Sequence, residues 1–99
     1  MKIVALSTLK AFWTKHPDAK GPLQSWYSAA TEENWATPQD IKDRYRSADF
    51  VGNRRVVFNI GGNHYRLIVA VAYRTGWVYV KFVGTHAEYD KVDAANVEM

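Results

Sequence analysis

The chain has 99 residues, 47% of them hydrophobic and 14% aromatic, which is enough for one domain and too short for two. At this size folding buries somewhat over ~60% of the surface exposed by the unfolded chain, so it needs neither disulfides nor a structural metal, and the lack of cysteine fits a reducing compartment. The formal charge is +3, and no apolar run reaches the length of a membrane span or a signal peptide, so the expectation is a soluble, cytoplasmic single domain over residues 1–99 with no membrane partner.

In chain order, "KIVA" at positions 2 to 5 predicts a short strand, and Ser7 is the expected N-cap of a first helix through "TLKAFWTKH". There Leu9, Phe12 and Trp13 share a face, and Pro17 enforces a stop. A second helix is expected from Gly21 to Asn34, with Pro22 in its first turn and Leu23, Trp26, Tyr27 and Ala30 as its apolar stripe. Thr37 followed by Pro38 starts a third, short helix through "QDIKDRYR". Past residue 52 the pattern changes to "NRRVVFNI", "HYRLIVAVAY" and "GWVYVKFVG", three consecutive antiparallel strands turned at Gly61-Gly62-Asn63 and at Arg74-Thr75-Gly76. Helices followed by a β-meander predict an α+β fold in which the N-terminal helices cover one face of a small, mainly antiparallel sheet.

Charge is concentrated between positions 42 and 74, where Lys42, Arg44, Arg46, Arg54, Arg55, Arg66 and Arg74 face only Asp43 and Asp49. The planar fork of arginine suits paired hydrogen bonds to phosphate oxygens, although a basic solubilising surface gives the same composition. Alternation along the strands sorts these residues by face. With Val56, Phe58 and Ile60 inward, Arg55, Val57 and Asn59 oppose them; with Tyr65, Leu67, Val69 and Val71 inward, Arg66 lies with Ile68, Ala70 and Ala72. In the last strand Val78, Val80 and Phe82 are the expected inward set, leaving Trp77, Tyr79, Lys81 and Val83 outward. If the faces coincide, Arg55, Asn59, Arg66 and Lys81 converge on one shallow patch with Trp77 and Tyr79 as stacking surfaces, a pattern suited to single-stranded nucleic acid.

The stretches "RRVVFNIGGNHYRLIVAVAY" and "VYVKFVGTHAEYDKV", together with "WATPQDIKDRYRSADFV", resemble the HigB family of toxins, within the RelE-like superfamily. The resemblance covers roughly residues 35 to 92, and it rests on the order and spacing of these blocks together. It implies a RelE-like toxin of a type II toxin-antitoxin system. Such a toxin is an endoribonuclease that cuts mRNA, commonly on translating ribosomes, and is held inactive by a HigA-type antitoxin with a helix-turn-helix domain.

RNA carries its own nucleophile, the 2′-OH, so cleavage needs no metal or cofactor, only a base, an acid and cations for the phosphorane. His86 is the natural acid or base, since histidine alone ordinarily titrates near neutral pH. Arg66, in the "HYRL" segment, resembles the superfamily's catalytic arginine position and is expected to stabilise transition-state charge. Lys81 is a second charge stabiliser or, deprotonated, a base. Tyr89 is placed to stack on a nucleobase or protonate the leaving oxygen. Arg44, Arg46, Arg55, Asn59, Trp77 and Tyr79 are expected to hold RNA. Glu88 and Asp90 are expected to be architectural, orienting His86 or pairing with Arg66. His16, His64 and His86 have neither the spacing nor the cysteine partners of a metal motif. Two other readings stay open: a catalytically idle RNA-binding or antitoxin-binding module with the same fold, and an interaction domain with no nucleic-acid role.

Overall fold

The structure, a computed structural model, describes residues 1–99. In chain order the elements are β1 (Lys2–Val4), α1 (Leu6–Lys15), a 3₁₀ turn (Pro17–Ala19), α2 (Lys20–Glu32), α3 (Pro38–Arg44), β2 (Asp49–Val51), β3 (Arg55–Ile60), β4 (Tyr65–Ala72), β5 (Trp77–Thr85) and α4 (His86–Tyr89). The strands form one sheet in the order β1-β5-β4-β3-β2, antiparallel except where β1 runs parallel to β5. This is the expected α+β architecture, with an additional edge strand, β2. Both edges are three-residue strands, short enough to offer little template for pairing with another chain. No helix is long and apolar enough to cross a membrane.

Local chemistry accounts for most boundaries. Thr37 caps α3 in a reciprocal box with Asp40: the Asp40 N–H donates to the threonine hydroxyl, and the Asp40 carboxylate accepts from the Ala36 and Thr37 N–H groups at 2.9 and 3.1 Å. Those backbone donors hold the Asp40 carboxyl below its usual range. α1 departs from expectation at its start: the N-cap is Ala5, without a side-chain cap, and Ser7 lies inside the helix. Leu6 packs against the core there, so burial sets this boundary in place of capping. Gly61, Gly62 and Gly76 take positive φ at the predicted turns. At the β2–β3 turn that conformation falls on Asn53 and Arg54, φ 60° and 59°.

α1, α2 and α3 cover one face of the sheet. Beneath them Leu9, Leu23, Trp26, Trp35 and Ile41 meet Val56, Phe58, Leu67, Val69, Val71, Val78 and Val83 in one core of 17 buried residues. Phe58 is its aromatic centre, with ring centroids at 5.4 Å from Trp26, 6.2 Å from Trp35 and 5.1 Å from Tyr45. At one end of this face the Tyr65 hydroxyl donates to Asp18, fastening the α1–α2 junction to the start of β4. That bond, followed by desolvation, raises the phenol above its usual range.

Alternation alone puts Phe82 inward and Val83 outward; the structure reverses both. The β4–β5 register shifts between Ile68 and Val69: Val69 pairs with Val80 but Ile68 pairs with Phe82, leaving Lys81 as the extra residue of a β-bulge. Beyond it the alternation inverts, so Val83 is inward, in the helical core, and Phe82 outward. Phe82 joins Val57 and Ile68 in a small second core, covered by Tyr89, Val92, Ala94 and Val97.

Candidate active site

The sheet face turned away from the helices is organised in rows by the strand register. Asn59, Arg66 and Gly84 form the row nearest α4, and Val57, Ile68 and Phe82 form the next. Arg55, Ala70, Tyr79 and Val4 follow, and Ala72, Trp77 and Lys2 lie farthest from α4. Arg55, Asn59, Arg66, Trp77 and Tyr79 therefore share one face, as alternation predicts. They do not converge on one patch. The apolar row at Phe82 separates Asn59 and Arg66 from Arg55, and Arg55 and Asn59 stand about 13 Å apart along β3.

At the α4 end, Arg66 is only 8% exposed. Its Nη1 donates to the carbonyls of Asn63 and Tyr65, both at 3.2 Å, and its Nη2 to Asn63 Oδ1 at 2.9 Å. The guanidinium lies 5.7 Å from the ring centroid of half-buried Tyr89. A long cation is thus fixed on a rigid strand, with little entropy left to lose on meeting an anion.

α4 is a single turn held by a second capping box. The Thr85 hydroxyl accepts from the Glu88 N–H at 3.1 Å, and Glu88 Oε1 accepts from the Thr85 N–H at 2.8 Å. The backbone donor from Thr85 holds the Glu88 carboxyl below its usual range. In sequence the box is carried by "THAE", a T-x-x-E pattern set among neighbouring titratable groups. Gly84 makes room for the turn, since a Cβ there would stand 2.5 Å from the Phe82 ring and 3.1 Å from Glu88 Oε1. The His86 N–H donates to the His64 carbonyl at 3.1 Å, binding α4 to the β3–β4 turn. His86 Nδ1 lies 3.1 Å from Asp90 Oδ2, one helical turn on. The histidine is exposed, its ring oriented by the carboxylate.

Farther along the face Arg55 is buried, 6% exposed, beneath residues 94–98. Lys81 stands beside the exposed Tyr79 ring, 6.0 Å from its centroid. Tyr79 stacks on Trp77 with centroids 6.1 Å apart and planes 16° off parallel, and Lys2 lies 4.7 Å over Trp77. Lys2 completes this aromatic shelf, though sequence reasoning did not single it out; its pairing with Trp77 across a parallel ladder leaves no local signal. Arg44 and Arg46 lie elsewhere. Arg44 ends α3 in the helical layer, where its Nε is 3.5 Å from a Glu33 carboxylate oxygen, and Arg46 is exposed just beyond it. No three His, Asp or Glu side chains are grouped to hold a metal ion.

A family model described as HigB toxin, the RelE-like toxic component of a toxin-antitoxin system, matches residues 19–92. The chain is 28% identical over 94 residues to a protein of Escherichia coli O6:H1 (strain CFT073) named mRNA interferase HigB, covering 93% of this chain and 91% of the relative. It is likewise 28% identical over 92 residues to the mRNA interferase toxin HigB of Escherichia coli K12, covering 91% and 88%. With three quarters of its length inside the family match, and with the capped turn and fixed arginine falling in that span, the chain belongs to the HigB toxin family.

Proposed function

We propose that the protein is a toxin-antitoxin endoribonuclease, one domain over residues 1–99, that cleaves mRNA without a metal or other cofactor. One observation carries this reading: a buried, pre-positioned Arg66 guanidinium lies against Tyr89 beside the turn bearing the His86–Asp90 pair, in a member of the HigB family whose relatives are named mRNA interferases. In the reaction the 2′-oxygen attacks the adjacent phosphorus and gives up its proton. The bond to the 5′-oxygen breaks, and that oxygen takes a proton. With Nδ1 donating to Asp90, His86 presents Nε2 as the proton-transferring atom. Arg66 neutralises charge developing on the phosphorane. Tyr89 stacks on a nucleobase or protonates the leaving oxygen; Lys81, which stands beside Tyr79 and Glu98 and not at Arg66, adds its positive charge at a neighbouring phosphate of the strand.

The remaining residues hold the strand. Tyr79 and Trp77 offer stacking surfaces, Asn59 lies beside Arg66, and Arg55 supplies charge in the middle of the face. Arg44 and Arg46, on the helical side, are assigned to the ribosome, with translating ribosomes in the cytoplasm as the site of action. A HigA-type helix-turn-helix antitoxin is the proposed inhibitor.

End-mapping of cleaved mRNA tests the chemistry. Attack by the 2′-OH leaves a 2′,3′-cyclic phosphate and a 5′-hydroxyl, so recovery of 5′-phosphate ends would refute it. Inducible expression tests the biology: wild type should arrest growth, and His86→Ala should not.

A further inference from the structure

Residues 93–98 cross the sheet's open face and meet both cations at its middle. Glu98 Oε1 accepts from Arg55 Nη2 at 2.8 Å, and Oε2 accepts from Lys81 Nζ at 3.1 Å. Arg55 Nη1 donates to the carbonyls of Ala94 and Val97, while Asn53 Nδ2 donates to the Ala95 carbonyl at 2.7 Å and to Asn96 Oδ1 at 3.1 Å. We propose that Arg55 and Lys81 form a seat for one phosphodiester of the RNA, and that Glu98 occupies this seat in the free protein, making residues 93–98 a displaceable strap over part of the substrate path. This inference rests on the RNA-cleaving function proposed above.

Five observations support it. The two carboxylate oxygens bridge cations from different strands, β3 and β5, as two oxygens of a phosphate would. The fit is incomplete for a carboxylate: Arg55 Nε is buried without a partner, although Nε and Nη2 together make the paired fork that phosphate oxygens engage. Glu98 itself is 63% exposed, so its side of both ion pairs opens to solvent and an incoming phosphate can reach it. The hydrogen bond from Lys81, with the nearby positive charges, holds the Glu98 carboxyl below its usual range, so at neutral pH it is the anion a phosphate must displace. The seat adjoins the Tyr79–Trp77 shelf, so a phosphate bound there places a neighbouring base within reach of a stacking surface.

An occupied seat lowers apparent affinity by the fraction of molecules in which it is open. Binding is measured with a short 2′-O-methyl RNA, which cannot be cleaved by 2′-OH attack. Glu98→Gln in the full chain should tighten this binding by about fivefold or more; unchanged or weaker binding would overturn the strap. A second variant closes the strap covalently. A Cβ on Gly52 would lie 3.6 Å from that of Ala95, within the range of about 3.5–4.5 Å that a disulfide needs, and the chain has no other cysteine. Oxidised Gly52→Cys/Ala95→Cys should bind at least about tenfold more weakly than the same protein after reduction; equal affinity in both forms would again overturn it. If wild type binds and cleaves RNA while both variants bind as it does, the strap fails alone. A wild type that neither binds nor cleaves RNA removes the strap and the proposed function together.

Discussion

Beneath the helices, one face of the sheet contributes to a core of 17 buried residues; the opposite face carries a core of three, flanked by two buried arginines. The first face holds the strands to the helices through tightly packed aromatics. On the second, burial comes from a capped turn and a short crossing segment, and the charges beneath are satisfied largely by backbone carbonyls. Buried charge is tolerable only with such partners, and thin cover opens more readily than a packed layer. Stability therefore rests mainly on one face, and the proposed function puts anion chemistry on the other; substitutions on each face test that division.

The largest effect is expected from Phe58→Ala, which empties the aromatic centre of the helical face and should cost about 3–5 kcal/mol in urea unfolding. A loss below about 1 kcal/mol would contradict the assignment of stability to that face. Arg66→Ala is the counterpart on the open face: single-turnover cleavage at saturating enzyme should fall about 10²-fold or more, with a smaller stability loss than Phe58→Ala. Cleavage at the wild-type rate once saturated would make Arg66 a binding residue. Gly84→Ala forces a methyl into the Phe82 ring and should cost about 1–3 kcal/mol, read from the same unfolding curves, with the ring displaced in a crystal structure. Full stability and an unmoved Phe82 would show that the open-face core tolerates strain more easily than argued.

The smallest effect concerns the α4 cap. Because the folded-state pKa of Glu88 is depressed, its contribution is complete above the ordinary glutamate range and is lost as pH falls through the lowered value. A carboxyl titration followed by NMR should therefore place the Glu88 midpoint below that of an unstructured peptide. Thr85→Ala should move the midpoint upward and cost about 0.5–2 kcal/mol. An ordinary midpoint in wild type would mean that the box is open in solution.

The strand faces were legible because β3 and β4 alternate without interruption and share one hairpin register, which sets Asn59 opposite Arg66. The bulge was not, because Val78, Val80 and Phe82 continue an unbroken alternation while Val83 is equally apolar. The choice between Phe82 and Val83 is made by packing against Val57 and Ile68, which no local pattern encodes. β2 spans only three residues, too few for a period. The crossing segment "DAANVE" has no periodicity, and its contacts join residues about forty positions apart. For the same reason Arg55 looked like an open RNA contact in sequence, although its guanidinium is covered.

The parallel pairing of Lys2 with Trp77 and Val4 with Tyr79 bears on the order of folding. Hairpins such as β3–β4 close short loops and form early, whereas β1 can dock only after a loop spanning most of the chain has closed. β1 therefore pairs late, waiting for β5, which also carries Lys81 and leads into the turn that bears His86. Without β5 the β4 edge is unpaired and β1 has no strand to dock against. Pairing at the β1 edge therefore waits on β5, so the sheet closes only once the strand that carries Lys81 has formed.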